Sequence, residues 1–171
     1  MNLFLLRHGA CEKTEDAPGG EDSQRRLTAE GRAAIEHSLP GIAGLLGQVD
    51  YILTSPYVRA VETAKIVGDY FKCTRFVETL EALAGPEGEK PLESMLNKLI
   101  GKENIVVVGH MPYLGDIAAY FAGDSLEESV DLKKGGMAKL YIKGFPGPGE
   151  ARLHWVMTSE ELAKSGGSGQ A

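Results

Sequence analysis

Hydrophobic positions along the chain fall into two alternating kinds of segment. Short unbroken apolar runs, such as residues 3–6 and 105–108, are typical of strands that are buried on both faces. Longer segments repeat apolar residues every three or four positions, which indicates helices with one buried side. Because strands and helices alternate, the pattern predicts an α/β fold, a three-layer α/β/α sandwich with a mostly parallel central sheet.

The same pattern places the individual elements. Strands are predicted over residues 3–6, 49–54, 73–77, 104–108, 136–142 and 151–157, with the last two forming a hairpin. Helices are predicted after Thr28 as N-cap (with a kink at Pro40), over 57–71, 91–100 and 113–122, and as one turn over 159–164. We therefore expect one domain over residues 1–164 and a Gly/Ser-rich, disordered tail over 165–171.

Polar side chains follow three of the predicted strands at the point where each strand ends. His8 follows the first strand, Arg59 comes shortly after the second, and His110 follows the fourth. The carboxyl ends of parallel strands share one edge of a sheet, where ligands bind in open α/β folds. We therefore expect these three residues to converge, although they are remote in sequence.

Two residues near these strand ends have a predicted backbone role. Gly9 allows a sharp turn or the close approach of a ligand after His8. Ser55, followed by Pro56, is predicted to be the N-cap of the next helix. Arg59 then lies in the first turn, where the helix dipole disfavours a cation. An anion bound between Arg59 and the helix N-terminus would remove this conflict.

Composition narrows the class of protein. The chain has 171 residues and a formal net charge of −6, whereas a general nucleic-acid binder carries a basic surface. No apolar run approaches the length of a membrane span, and no secretory signal precedes the first strand. Cys11 and Cys73 lack the number and spacing of a disulfide framework or zinc site. We expect free thiols in a cytoplasmic protein without nucleic-acid or membrane partners.

The predicted cluster of histidines and arginines suits an anion better than a metal. Cations repel a metal ion, whereas the arginine fork binds phosphoryl oxygens bidentately. Phosphoryl transfer needs little beyond positioning and charge neutralisation, and an imidazole can itself be the nucleophile. We therefore expect a phosphate or similar anion in the pocket, with no metal and no organic cofactor.

Four motifs resemble those of the histidine phosphatase superfamily, which has the phosphoglycerate-mutase-like fold. They are Leu-Leu-Arg-His-Gly (residues 5–9), Leu-Thr-Ala-Glu-Gly (27–31), Thr-Ser-Pro-Tyr-Val-Arg-Ala (54–60) and Val-Gly-His-Met-Pro (108–112). They occur in the family's order, and the resemblance covers roughly residues 2–123. The chain lacks the large helical insertions of the mutases, so it most resembles the compact SixA-type phosphohistidine phosphatases.

The resemblance implies a role for each matching residue. His8 would be the nucleophile that becomes phosphorylated, while Arg7, Arg59 and His110 would bind the phosphoryl oxygens. Arg25 matches a further phosphate-pocket arginine of the SixA type, with Arg26 as its rival. Gly9 and Ser55 complete the predicted site as substrate-binding residues.

The general acid is where this chain departs from the mutase-like members. These carry a glutamate after the third strand, and the corresponding loop here offers four candidates without a matching context: Glu78, Glu81, Glu87 and Glu89. An imidazole leaving group needs less protonation than an alkoxide. The preferred substrate is therefore a phosphohistidine on a protein partner, reached through an open pocket. The alternatives are a small-molecule phosphomonoesterase acting on a sugar or nucleotide phosphate, and a non-catalytic phosphoprotein-binding module.

The polar stretch from Cys11 to Arg26 lacks periodicity and is predicted to be a mobile loop. Its acidic residues, from Glu12 to Asp22, are predicted to be solvated rather than functional. Gating of the pocket or screening of acidic partners is the alternative.

Overall fold

The computed structural model describes residues 1–166 and has the predicted three-layer architecture. The six strands are β1 (Asn2–Arg7), β2 (Tyr51–Thr54), β3 (Val77–Thr79), β4 (Asn104–Gly109), β5 (Met137–Ile142) and β6 (Ala151–Met157). The five α-helices are α1 (Ala29–Leu46), α2 (Val58–Tyr70), α3 (Glu89–Lys98), α4 (Tyr113–Ala122) and α5 (Ser159–Ser165). None of these helices is long and apolar enough to cross a membrane.

The strands form a single sheet in the order β3-β2-β4-β1-β5-β6. The first four in this order are parallel, and β5 and β6 add an antiparallel hairpin beside β1. Alternate residues of each strand face opposite layers, as the strand geometry requires. Leu3 and Leu5 pack towards α3 and α4, whereas Phe4 and Leu6 pack towards α1, α2 and α5. The mostly parallel sheet covered on both faces is confirmed.

Several element boundaries differ from the sequence-based prediction. The third strand begins at Val77 and not at Cys73, because residues 74–76 form a 3₁₀ turn before Val77 pairs with Ile52. Helix α3 begins at Glu89, so Pro91 lies in the first turn, where its missing N–H costs no helix bond. The polar loop is not irregular throughout, since three 3₁₀ turns span residues 14–24.

Helix α1 shows how tightly the layers approach each other. Thr28 is its N-cap as predicted and accepts a hydrogen bond from Gly31 N at 3.0 Å. A Cβ atom on Gly31 would lie 2.0 Å from the carbonyl oxygen of Ala10, so only glycine fits beneath the chain that leaves β1. The first turn of α1 thus supports the segment that follows His8. The predicted disordered tail stays a prediction: Ser165 ends α5, and residues 167–171 lie outside the described part.

Candidate active site

Three predicted site residues lie just beyond the ends of neighbouring strands. His8 follows β1, Ser55 follows β2, and His110 follows β4, which lies between the other two strands. The strand ladder continues one residue further on each side: His8 N donates to Gly109 O at 3.1 Å, and Ser55 N donates to Val108 O at 3.0 Å. The backbone that carries the site is therefore part of the sheet.

The imidazole of His8 is oriented by its own neighbour in the chain. Its Nδ1 lies 2.7 Å from the carbonyl oxygen of Gly9, which can only accept, so Nδ1 carries the ring proton. Nε2 then holds the lone pair and accepts from Arg59 Nε at 3.2 Å. Burial lowers the pKa of His8 to about 3, and the nearby His110, Arg59 and Arg7 add to this. The ring is thus neutral and nucleophilic at physiological pH.

His110 faces His8 across the site, with ring centroids 5.0 Å apart. Its Nε2 lies 2.7 Å from Ser55 Oγ. Burial lowers the pKa of His110 to about 4, and the positive charges of Arg59 and Arg7 act in the same direction. Its Nδ1, like Nε of Arg7, is buried and has no hydrogen-bond partner among residues 1–166. Two polar atoms beside the nucleophile are thus left for a ligand.

Arg59 is the cation that connects the site to the polar loop. Its side chain is almost fully buried in the first turn of α2, with Cζ 5.0 Å from the ring centre of Tyr57. While Nε faces His8, Nη1 donates to the backbone oxygen of Asp22 at 2.6 Å and Nη2 to its Oδ2 at 3.0 Å. The carboxylate of Asp22 is therefore an anion of the chain itself beside Arg59, whereas the bound anion that the sequence predicts there stays a prediction.

The other arginines are placed differently from one another. Arg7 donates from Nη1 to the carbonyl oxygen of Leu132 at 2.7 Å. Arg25 donates from Nη1 to Asp22 Oδ1 at 2.8 Å, and therefore reaches Arg59 through one shared carboxylate. Arg26 is exposed, and its backbone is fixed to Glu12: its N–H donates to the Glu12 carboxylate, and its carbonyl oxygen accepts from Glu12 N. Of the two rivals, Arg25 is the one whose side chain is linked to Arg59 through Asp22.

Gly9 and Ser55 have contacts that the sequence did not predict. A Cβ atom on Gly9 would lie 3.0 Å from Gly31 O and 3.1 Å from Ile35 Cγ1, so the space beside Gly9 is filled by α1. Its N–H donates to Thr63 Oγ1 at 3.3 Å. Ser55 is fully buried and turned to His110, and Tyr57 is the N-cap position of α2. Ser55 was predicted as that N-cap, and this prediction is wrong.

The candidate general acids lie away from the hydrogen-bond network of the site. The carboxylate of Glu78 accepts from the hydroxyl of Tyr51. Glu81 begins a 3₁₀ turn after β3, Glu87 is exposed, and Glu89 begins α3. The carboxylate that does contact a site residue is Asp22. Hydrogen bonds from Arg25 and Arg59 hold the pKa of its carboxyl below the usual range, so it is ionised.

Sequence reasoning missed two residues that complete the site. Asp22 was assigned to the solvated acidic loop, although its i,i+3 spacing to Arg25 is a signal for an ion pair. The ring of Tyr57 lies 4.9 Å from that of His110, centroid to centroid, and borders the site. Its position directly after Ser55 and Pro56 was the available signal. Among residues 1–166, no group of three His, Cys, Asp or Glu side chains is arranged to hold a metal ion.

A neutral imidazole at a sheet edge, whose Nε2 lone pair accepts only a hydrogen bond from Arg59, can attack a bound phosphoryl group when that donor shifts to the phosphoryl oxygens. Comparison with known proteins also points to phosphoryl-group chemistry. A family model described as histidine phosphatase superfamily (branch 1) matches residues 3–85. The chain is 30% identical over 122 residues to the phosphohistidine phosphatase SixA of Escherichia coli, covering 70% of this chain and 73% of that protein. A SixA homolog of Haemophilus influenzae is 28% identical over 135 residues, covering 72% of this chain and 78% of that protein.

Solved structures share the fold over nearly their whole length. The protein histidine phosphatase SixA complexed with tungstate has a TM-score of 0.82 at 24% identity and covers 95% of this chain and 99% of its own. A phosphoserine phosphatase of Entamoeba histolytica, complexed with phosphoserine, has a TM-score of 0.67 at 16% identity, with 94% and 98% covered. The protein is a phosphatase. The chain belongs to the histidine phosphatase superfamily, and the resemblance inferred from the four motifs is confirmed.

Proposed function

We propose that the protein is a phosphohistidine phosphatase that works through a covalent phosphohistidine on His8. The observation that carries this proposal is the state of His8: Nδ1–H is bonded to Gly9 O, and the Nε2 lone pair lies among cations. Two relatives that are 28–30% identical are named phosphohistidine phosphatase SixA or its homolog. A tungstate ion, bound in a structural neighbour, is an anion of the same kind as phosphate.

In the first step, Nε2 of His8 attacks the phosphorus atom. The bond between phosphorus and the leaving imidazole nitrogen breaks, and that nitrogen keeps the electron pair. The proton that the other ring nitrogen of the substrate already carries makes the leaving imidazole neutral. Arg59 Nε, which now donates to Nε2, would shift to a phosphoryl oxygen as the lone pair is used. Arg7 Nε and His110 Nδ1 would bind further oxygens, since both are buried without a partner in the described part of the chain. Water then attacks phospho-His8, which releases phosphate and restores the imidazole.

The preference for an imidazole leaving group rests on the acids around the site. Asp22 is the carboxylate in contact with Arg59, and its two arginine partners keep it ionised, so it is a poor proton donor. A phosphorylated imidazole can bring its own proton, because its ring titrates in the neutral range, whereas an alkoxide cannot leave unprotonated. This favours a phosphohistidine over a sugar or nucleotide phosphate.

The partner would then be a protein that carries phosphohistidine. Asp22, whose side chain is 48% exposed, would form part of the rim that meets it. Arg25 and not Arg26 would act beside this rim, because only Arg25 is linked to Arg59 through Asp22. A cytoplasmic location accords with the free thiols of Cys11 and Cys73.

Intact mass after rapid mixing tests the covalent step. The protein is mixed with a phosphohistidine protein and quenched at alkaline pH, with His8→Ala as the matched control. We expect a transient phosphate adduct on the unmutated protein alone. Equal and slow phosphate release by both proteins, without an adduct, would remove the proposed mechanism.

Substrate class is tested with the same preparation. Rates are compared for a phosphohistidine protein, phosphoramidate and an alkyl phosphate. We expect the two nitrogen-linked substrates to be preferred. Efficient turnover of the alkyl phosphate, lost in Glu81→Gln or Glu87→Gln, would instead identify a phosphomonoesterase with a working carboxylic acid.

A further inference from the structure

The hydroxyl group of Ser55 is fully buried between two partners. Its Oγ lies 2.7 Å from Nε2 of His110 and 3.3 Å from the backbone nitrogen of Tyr57, whose N–H donates to it. A hydroxyl has one proton to donate and two lone pairs to accept with. The contact to Tyr57 is of known direction, because a backbone N–H can only donate.

Counting donors fixes the direction of the second contact. If Nε2 of His110 donated to Ser55, the hydroxyl would accept twice and its own buried proton would have no acceptor. An unsatisfied buried donor is costly and rare. If instead the hydroxyl of Ser55 donates to Nε2, the hydroxyl is satisfied, and only Nδ1 of His110 is left without a partner among residues 1–166. The other tautomer leaves both Nδ1 and the hydroxyl proton without one. The neutral ring of His110 therefore carries its proton on Nδ1.

The proton on Nδ1 decides what His110 offers to a ligand. Nδ1 is buried without a partner among residues 1–166, and its ring centroid lies 5.0 Å from that of His8. With a proton, Nδ1 is a donor for an oxygen of a group bound at His8. In the other tautomer it would present a lone pair to a negatively charged oxygen, which is repulsive.

We propose that Ser55 is a positioning residue, which holds His110 in the Nδ1–H tautomer so that the ring donates to the phosphoryl group at His8. The nature of the bound group rests on the proposed function, whereas the tautomer of the resting protein does not. Ser55 was predicted to contact substrate; here it acts through His110 instead.

The ring nitrogens report the tautomer directly. Long-range ¹⁵N–¹H NMR spectra of the ¹⁵N-labelled resting protein distinguish protonated from bare imidazole nitrogens. The chain has four histidines, and His37 and His154 are exposed, so their Gln variants help to assign the signals. We expect Nδ1 of His110 to be protonated and Nε2 to be bare near neutral pH. The opposite pattern in the unmutated protein would overturn the proposal without any variant.

A serine variant tests the cause. In Ser55→Ala we expect the His110 signals to move towards a mixture of tautomers and kcat to fall about tenfold, the loss of one aligned donor. Ser38→Ala is the matched control, because Ser38 is also fully buried but bonds the helix carbonyl of Ile35. Unchanged His110 signals in a folded Ser55→Ala protein would also overturn the proposal. A correct tautomer without phosphatase turnover would leave the positioning role in place and remove the proposed function.

Discussion

Two groups of polar side chains meet at Arg59, and they are held in place in different ways. On one side is the strand-end cluster, defined as His8, Arg59 and His110, whose side chains are only 5–6% exposed. On the other side is the loop pair, Asp22 and Arg25, which is carried by a 3₁₀ turn and its following residue. Backbone hydrogen bonds of the sheet hold the strand-end cluster in place. The loop pair is held mainly by the ion pairs of Asp22 with Arg25 and Arg59.

The difference in burial between the strand-end cluster and the loop pair determines how strongly each affects the charges in the site. Charges interact strongly when they are shielded from water, whereas exposed ion pairs are screened and contribute little. In the strand-end cluster, burial is the main reason why both histidines stay neutral at pH values well below 6.5, and the nearby arginine charges add to it. The loop pair can supply or withdraw charge near Arg59 at small cost. We infer that the cluster provides the chemistry and that the loop pair adjusts affinity.

Removing the central cation should give the largest effect. We expect Arg59→Ala to lower kcat/KM by about two to three orders of magnitude, because a buried donor to the reacting group is lost. Arg59→Lys should recover only part of this loss, since lysine keeps the charge but not the fork. Steady-state rates on phosphoramidate provide the measurement. Near-normal rates in Arg59→Ala would break the assignment of the cluster.

Acid should destabilise the protein through the two buried histidines. Unfolded imidazoles bind protons near pH 6.5, but the folded rings bind them only near pH 3 and 4. The unfolded state therefore holds more protons below pH 6.5, and stability falls as the pH falls through this value. Between pH 6.5 and 5 we expect a loss of about 3 kcal/mol for the pair.

Urea unfolding between pH 7 and 5 measures this loss. His110→Gln should remove about half of the dependence on pH, and the exposed His37→Gln is the control that should leave it unchanged. The same slope in His110→Gln as in the unmutated protein would mean that the imidazole is not held neutral by burial.

The loop arginine should have a smaller effect. We expect Arg25→Ala to raise KM about tenfold, because the substrate loses the one charge-assisted hydrogen bond that we propose Arg25 donates at the rim of the site. Arg26→Ala, in which an adjacent exposed cation is removed, should change KM less than twofold. The reverse order of the two variants would show that the loop rearranges when substrate binds.

The acidic member of the loop pair should have the smallest effect. Asp22 occupies two donors of Arg59 in the resting protein. We expect Asp22→Asn to strengthen inhibition by inorganic phosphate about two- to fivefold, because a competing, partly exposed anion is removed. Glu21→Gln is a control of equal charge change on the same loop. Weaker inhibition by phosphate in Asp22→Asn would mean that Asp22 instead orients Arg59.

The strand-end cluster could be predicted because local signals sufficed. An apolar run that ends in Arg-His-Gly, and another that ends in Gly-His, place each residue at a strand end. Parallel pairing of β1, β4 and β2 then brings His8, His110 and Ser55 together. The partner of the Ser55 hydroxyl could not be predicted, because a serine before proline serves equally well as an N-cap.

The contact of Asp22 with Arg59 and the position of β3 at the sheet edge could not be predicted, because both depend on tertiary contacts. Asp22 meets Arg59 only because three 3₁₀ turns fold the loop back, and such turns leave no periodic pattern. The third strand was misplaced by four residues since its extent depends on pairing with β2, from Ile52 to Thr54. When tertiary contacts determine the conformation of a segment, the strand propensity of its residues alone does not give the correct strand boundary.

The central position of β1 has a consequence for biosynthesis. Among the six strands of the sheet, β1 is translated before the others, yet it lies between β4 and β5, where Leu3 pairs with Ile105 and Leu140. At typical elongation rates, its first neighbour is translated roughly 5–20 s later. Until then the nascent chain carries an apolar segment without a ladder partner. Folding is therefore dominated by non-local contacts, which form slowly. His8 is therefore translated about 100 residues before His110, and the pocket is assembled only after β4 has been made.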